Sequence, residues 1–252
     1  MLPRKIKVCD AFGIPVFADF SLILLLLIFV TSFGTFSFGL ACALMLAVSI
    51  TAHELGHALT ARVFGFGTRD ITLSLLGGCA SLVSLPRKAW QEFLTAIAGP
   101  AVSFLIAGIA WMVLMFLPIS NPFTYNVLLY TLWMNVMLGG FNLLPGFPMD
   151  GGRIFRSTMR AFMSRAKATY VAMVVGRIFA VLLGLSGLQA AFSGGSWGFI
   201  RILIAWMILR EGWREYQLAR VEENAHNWGD WSARVSPPPY GGDDDEVEIR
   251  KN

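Results

Sequence analysis

Six long apolar segments constrain the fold of this chain more than any other feature of its sequence. An α-helix needs about 20 mostly apolar residues to cross a bilayer, and most of these segments reach or approach that length. Because backbone polar groups cannot stay unpaired in lipid, the segments are predicted to be transmembrane helices. They cover residues 20–33, 38–64, 92–117, 123–144, 169–192 and 197–213.

The composition agrees with an α-helical integral membrane protein of about six transmembrane helices. Hydrophobic residues make up 56% of the chain, charged residues 14%, and the mean hydropathy is +0.62. An ordinary soluble domain has about 25% charged residues. The basic residues are scattered between the apolar segments and form no stripe, so the predicted surroundings are a lipid bilayer and nucleic acid is not a predicted partner. The sequence predicts no particular oligomeric state.

The distribution of basic residues predicts the topology. Six spans place both termini on one side of the membrane, and most Lys and Arg residues fall on that side. The turns on the opposite side, near residues 35, 121 and 195, have only Arg201 nearby. Because basic residues concentrate in cytoplasmic loops, both termini are predicted to lie in the cytosol of a prokaryotic cell.

The second apolar segment contains the sequence His53-Glu54-Leu55-Gly56-His57. On a helix, the two histidines lie about 40° apart around the axis and about 6 Å apart along it, so they can bind one metal ion. Glu54 lies beside them and can accept a proton from a metal-bound water. An accidental HExxH is expected in about one chain in a hundred of this length. Inside a membrane, however, these polar groups are costly unless a ligand compensates them, so the motif predicts one Zn²⁺ per chain.

A third zinc ligand is needed, because hydrolytic zinc sites usually have three protein ligands and one water. His226 lies in the polar C-terminal region. Four carboxylates lie at span ends or in loops, where solvation explains them: Asp10, Asp19, Asp70 and Glu92. Asp150 follows Pro145 and Pro148, which interrupt the fourth helix at membrane depth, where irregular backbone is tolerated only inside protein or beside a water-filled cavity. Asp150 is therefore the predicted third ligand, with an N-cap of the next helix as the alternative.

Residues 65–84 have a different pattern from the apolar segments around them. Apolar residues alternate with Ser and Thr on both sides of Gly77-Gly78, which predicts a β-hairpin or small sheet at the membrane between the second and third spans. Its edge could bind an unwound substrate as an added strand. The alternative is that the hairpin only closes the cytosolic mouth of the protein.

The C-terminal region becomes charged from about Glu215 and then rich in Pro and Asp. This composition predicts a flexible cytosolic tail over residues 218–252, after a membrane domain over residues 1–217. The segment Pro237–Tyr240 is similar to a WW-domain ligand, although in a prokaryotic protein a solvated linker is the better explanation.

The HELGH and NLLPGFPMDGG motifs together resemble those of the site-2 protease family of intramembrane zinc metalloproteases. The resemblance extends over about residues 10–160 and implies that transmembrane proteins are the substrates. It implies that His53, His57 and Asp150 bind zinc, that Glu54 is the general base, and that Asn142 contacts the substrate or the developing oxyanion. Ser103 departs from the family pattern, in which Asn is common at this position.

Two other functions compete with regulated intramembrane proteolysis. A zinc transporter or sensor would need further polar groups along a membrane pathway, and the fifth and sixth segments offer almost none apart from Arg177 and Arg201. A catalytically inactive binder of membrane proteins would have no need of Glu54. The sequence therefore favours hydrolysis of peptide bonds in or next to transmembrane segments.

Overall fold

Local sequence signals set the beginning of three helices in this computed structural model, which describes residues 5–74, 77–82, 88–194 and 198–232. The side chains of Asp19, Asn121 and Ser164 accept hydrogen bonds from backbone N–H groups of the first turns of their helices. Pro122 follows Asn121 at the first helical position, where its missing N–H costs nothing.

The described residues form seven α-helices and four β-strands. The helices are α1 (Phe20–Ser32), α2 (Phe36–Val63), α3 (Ala89–Phe116), α4 (Pro122–Asn142), α5 (Asp150–Met159), α6 (Arg165–Phe192) and α7 (Gly198–Ser232). The strands are β1 (Ile6–Ala11), β2 (Ile14–Ala18), β3 (Thr68–Ser74) and β4 (Gly77–Leu82).

Three helices of the described residues are long and apolar enough to cross a membrane, namely α2, α3 and α6. The helix α1 is apolar but shorter. Many large apolar side chains on these helices are exposed, for example Leu105 at 62% and Leu182 at 60%, as expected of surfaces that face lipid. The prediction of a mostly helical, multi-pass membrane protein is confirmed, and the number of six spans stays a prediction.

The four strands form one sheet in the order β1-β2-β3-β4. The hairpin predicted between the second and third spans is present as the antiparallel pair β3–β4. Its residues 75, 76 and 83–84 lie outside the described residues. The first two strands were not predicted. They join the sheet through a parallel pairing of β2 with β3, in which Val16 lies opposite Ile71 and both side chains are fully buried.

Small residues bring α2 and α3 into close contact. A Cβ atom on Gly56 would lie only 2.8 Å from the carbonyl oxygen of Ala98, so the two backbones nearly touch there. In a membrane, helices associate through such small-residue contacts, because lipid provides no hydrophobic driving force between helices. The face of α2 that carries both histidines is thereby pressed against α3.

The helix α7 extends to Ser232, so the domain boundary predicted at residue 217 falls within it. Ala219 is 3% exposed, and the Glu223 carboxylate accepts hydrogen bonds from Ala166 N (2.9 Å) and Ser164 Oγ (3.3 Å). The charged part of α7 therefore packs on the beginning of α6. Residues 233–252, including the segment Pro237–Tyr240, lie outside the described residues.

Candidate metal centre

Three buried side chains converge between α2 and α5. The Nε2 atoms of His53 and His57 each lie 3.1 Å from the same carboxylate oxygen, Oδ2 of Asp150. The exposed fractions of the three residues are 3%, 8% and 7%. One ligand atom from each residue lies within 4.8 Å of the others, which makes this trio a group that could hold a metal ion.

The chemistry of these atoms fits a zinc ion. The backbone oxygen of Thr95 can only accept, so the 2.7 Å contact from His57 Nδ1 means that Nδ1 carries the hydrogen. In a neutral ring, Nε2 then presents a lone pair to the Asp150 carboxylate, and these two acceptors repel each other. A bound cation removes this repulsion for both imidazoles at once, and two imidazoles with one carboxylate are a common zinc ligand set.

Helix α3 orients both imidazole rings. Thr95 accepts from His57, and Ser103 Oγ lies 2.9 Å from His53 Nδ1. Ser103 is fully buried and therefore makes this contact without competition from solvent. Such partners fix which nitrogen faces the metal. In the sequence, Ser103 is distinguished only as a departure from a family pattern, and Thr95 is not distinguished at all, because a backbone oxygen leaves no signal in the sequence.

Gly99 allows α3 to approach the two rings. A Cβ atom on Gly99 would lie 2.2 Å from His57 Nε2 and 2.7 Å from His53 Nε2. Both nitrogens are the atoms that face Asp150, so any side chain at residue 99 would enter the space of the metal centre.

Glu54 lies beside the three converging residues and is not one of them. Its Oε2 accepts a hydrogen bond from Ala80 N of β4 at 3.1 Å. A Cβ atom on Gly78 would lie 2.2 Å from Glu54 Cγ, so β4 packs directly on this carboxylate. The arrangement separates a carboxylate that could move protons from the one that could bind metal.

The segment before α5 turns Asp150 towards α2. Met149 occupies the N-cap position of α5 without a side-chain cap, and Asp150 is the first helical residue. The structure therefore does not show the N-cap alternative for Asp150, whose carboxylate contacts the histidines. Gly151 permits this turn, because a Cβ atom there would lie 2.3 Å from the backbone oxygens of Leu143 and Leu144.

Asn142 does not join the three converging side chains. It is the last residue of α4, and its Nδ2 donates to Leu138 O at 2.9 Å within the same helix. Within the part of the chain that the structure describes, no hydrogen bond links Asn142 to the histidines or to Asp150. The sequence predicted a substrate contact here, and that role stays a prediction.

The interpretation of Glu92 as a solvated carboxylate at a span end was wrong. Glu92 is 6% exposed and accepts from Arg156 Nε at 2.8 Å and from Arg160 Nη1 at 2.9 Å. Arg156 Nη1 also donates to Glu215 Oε2 of α7 at 2.8 Å. This buried network links α3, α5 and α7, and it depends on tertiary packing that the position of Glu92 in the sequence does not indicate.

Comparison with known proteins gives a consistent result. The sequence model of peptidase family M50 matches residues 41–126 and 121–183. A zinc metalloprotease of Methanocaldococcus jannaschii is 34% identical over 225 residues, which are 86% of this chain and 62% of that protein. Stage IV sporulation protein FB of Bacillus subtilis is 28% identical over 156 residues, 62% of this chain and 53% of that protein. The chain thus spans little more than half to three fifths of the length of these relatives.

A solved structure has a similar fold. The site-2 protease from Methanocaldococcus jannaschii superposes with a TM-score of 0.62 at 32% sequence identity. The similarity covers 84% of this chain and 95% of that one.

Proposed function

This chain belongs to peptidase family M50, and we propose from that premise that it is an intramembrane zinc metalloprotease. Its substrates are transmembrane proteins, which it hydrolyses in or next to their membrane segments. The observation that carries the proposal is the buried convergence of His53, His57 and Asp150 within an apolar helical protein, with Glu54 beside it. Burying two imidazoles and two carboxylates together in a membrane is costly, and a purely structural role would not explain that cost.

The two imidazoles and the Asp150 carboxylate would hold one Zn²⁺ ion. When bound, the ion supplies Lewis acidity towards a carbonyl oxygen and a water molecule. Ser103 contacts Nδ1 of His53 and Thr95 contacts Nδ1 of His57, so both Nε2 atoms face the metal position. The buried setting excludes bulk water from this position and so strengthens the electrostatic interactions within it.

We assign proton transfer to Glu54. Its carboxylate accepts a proton from the attacking water and delivers it to the amide nitrogen as the C–N bond breaks, so hydrolysis yields one carboxyl and one amino terminus. The Ala80 N–H holds Oε2 at 3.1 Å and thereby fixes the orientation of the carboxylate. The second oxygen, Oε1, is the one we assign to the proton.

A substrate helix has to unwind before it can be cleaved, because its amides are otherwise hydrogen-bonded within the helix. We propose that β4 helps to hold the unwound segment. It is an end strand of the sheet, and it packs on Glu54, so a substrate at the metal centre lies beside it. Substitution of Ser81 by Pro should depress cleavage while zinc content stays unchanged. Normal cleavage by the folded variant would leave β4 as a cover of the site only.

We propose six spans with both termini in the cytosol. The support is the distribution of basic residues and the even number of helices besides α5 among the described residues. Accessibility labelling of a single cysteine placed after Ser232 tests the orientation. Labelling from the non-cytosolic side alone would contradict it.

The experiment that tests the function pairs metal analysis of the purified protein with a cleavage assay on a model transmembrane substrate. Glu54→Gln should abolish cleavage while zinc stays bound, because this residue moves protons and does not bind the metal. His53→Ala and His57→Ala should lose zinc, and Asp150→Ala should lose it at least in part. Glu222→Gln, on the exposed side of α7, is the matched control and should leave both measurements unchanged. Near-normal turnover by Glu54→Gln would overturn the general-base role.

A further inference from the structure

One face of α3 lies against both histidines of the metal centre and is linked to the helix of Asp150 through Arg156, although α3 provides no ligand. The face consists of Glu92, Thr95, Gly99 and Ser103, which follow one another at intervals of three, four and four residues. Residues at this spacing lie on one side of a helix. All four are buried. Thr95, Gly99 and Ser103 lie against the two histidines, and Glu92 contacts Arg156 of α5.

The C-terminal half of this face controls the two histidines. Ser103 Oγ lies 2.9 Å from Nδ1 of His53, and the backbone oxygen of Thr95 accepts from Nδ1 of His57 at 2.7 Å. Gly99 lies between these two contacts and leaves space for both Nε2 atoms. Both rings are therefore held by contacts at Nδ1, and only their Nε2 atoms face the metal position.

The N-terminal end of this face controls Asp150 through Arg156. The guanidinium of Arg156 contacts one oxygen of Glu92, Oε1, through Nε at 2.8 Å and through Nη2 at 2.5 Å, and Arg160 Nη1 donates to the other oxygen, Oε2, at 2.9 Å. The same guanidinium lies 4.9 Å from the centre of the Phe147 ring, and Phe147 is 1% exposed. Since Asp150 lies between Phe147 and Arg156 in the chain, both flanks of the ligand are attached to one planar group.

The attachment is rigid because its members cannot move independently. The side chains of Glu92 and Arg156 are 7% and 6% exposed, so separating them would leave charges buried without partners. Because the two oxygens of Glu92 bind two different arginines, Arg156 within α5 and Arg160 at its end, the attachment also fixes the orientation of α5 about its axis, which a single hydrogen bond would not do. The orientation of α5 in turn decides where the Asp150 carboxylate points.

We propose that this face of α3 sets the geometry of the metal centre, with Ser103 and Glu92 as positioning residues. Ser103 acts on the ring of His53, and Glu92 acts on Asp150 through Arg156. The inference rests on the proposed function, because it requires that these side chains bind zinc. It goes further in assigning the preorganisation of the site to a helix that contributes no ligand.

The first test concerns Ser103. In Ser103→Ala the hydroxyl partner of His53 is lost with almost no change of volume. The affinity for Zn²⁺, measured by competition with a chelator, should fall about 10-fold to 100-fold. The visible absorption of the Co²⁺-substituted protein should also change, because it reports the symmetry of the ligands. Ser186→Ala is the matched control, since the Ser186 hydroxyl bonds only to Leu183 O of its own helix among the described contacts.

The second test separates positioning from folding at Glu92. Glu92→Gln should weaken zinc affinity about 10-fold to 100-fold and lower the melting temperature, because it leaves a buried excess of positive charge. The double variant Glu92→Gln/Arg160→Gln removes that excess while the link from Glu92 to Arg156 stays weakened. It should recover much of the melting temperature but not the zinc affinity. Glu222→Gln, whose exposed carboxylate pairs with Arg165 outside this network, should change neither quantity.

The outcomes distinguish this inference from the function on which it rests. A wild-type protein that binds no zinc would overturn the proposed function. A wild-type protein that binds zinc, together with Ser103→Ala and Glu92→Gln variants of unchanged affinity and unchanged Co²⁺ absorption, would overturn only the positioning role. Zinc affinity that returns in the double variant in parallel with the melting temperature would show that Glu92 supports folding alone, which also overturns its positioning role.

Discussion

The substitution Gly99→Ala is predicted to abolish metal binding by adding a single methyl group. The new Cβ would lie 2.2 Å from His57 Nε2, 2.5 Å from His57 Cε1 and 2.7 Å from His53 Nε2. Ordinary van der Waals contact begins at about 3.4 Å, so the His57 ring must retreat by about 1.2 Å. The contacts of the rings with Thr95 and Ser103 oppose this retreat.

A displacement of this size is large compared with what zinc tolerates. Zinc–nitrogen distances in proteins hold to about ±0.2 Å, so a ring displaced by about 1.2 Å is no longer a ligand. Zinc content of the purified variant should therefore fall close to zero. Cleavage of a model transmembrane substrate should fall at least about a hundredfold, since misplacement of a reacting group by about 1 Å already costs that much.

The matched control is Gly108→Ala on the same helix. A Cβ atom at Gly108 would meet nothing within 4 Å, and alanine there is better suited to a helix than glycine. Metal analysis and the cleavage assay should give wild-type values for this variant. Wild-type zinc content and turnover in Gly99→Ala would refute the reasoning, because they would mean that α3 does not approach the imidazoles as closely as described.

Three further predictions test other parts of the structure. Gly78→Ala should keep zinc but lower kcat by about tenfold or more, because its Cβ would lie 2.2 Å from Glu54 Cγ and displace the carboxylate. Unchanged kcat would contradict the packing of β4 on Glu54. Deletion of all residues after Gln217 should lower the melting temperature by a few degrees, because the end of α7 packs on α6. Cleavage at low temperature should continue, and an unchanged melting temperature would contradict that packing. Burial alone would raise the pKa of Glu215, but the nearby guanidinium of Arg156 holds this pKa below its ordinary value. The stability that the ionised Glu215 contributes should therefore be lost as the pH falls through the lowered pKa. Melting curves of Glu215→Gln should depend less on acidic pH than those of the wild type, and equal pH dependence would refute the ion pair.

The sequence predicted the parts of this protein that depend on local patterns. Apolar length and helix-breaking prolines predicted the helices, and the spacing of His53 and His57 predicted a shared face on α2. The position of Asp150 was predicted by elimination, and the structure places its carboxylate between the two rings.

The remaining features depend on pairings between distant segments. The pairing of β2 with β3 joins residues about 55 positions apart, and neither strand indicates its partner. Glu92 was interpreted as solvated because the sequence shows that it lies at the end of an apolar segment but not that two arginines of α5 lie against it. Ser103 and Thr95 were not assigned to the site because only the rotation of α3 about its axis brings them to the histidines. The role of Asn142 stays a prediction.

The parallel pairing of β2 with β3 also bears on the number of membrane crossings between these two strands, which should be even. Both strands lie in one sheet, so the chain between Ala18 and Thr68 has to return to the side of the bilayer from which it left. Because α2 is long enough to cross, we predict that α1 crosses as well, although its 13 residues rise only about 20 Å. The hydrocarbon core of a typical bilayer is about 30 Å thick, so we predict that the lipid around α1 thins to match this helix. A thinned bilayer would shorten the distance from the aqueous phase to the histidines on α2, where the proposed reaction would consume water.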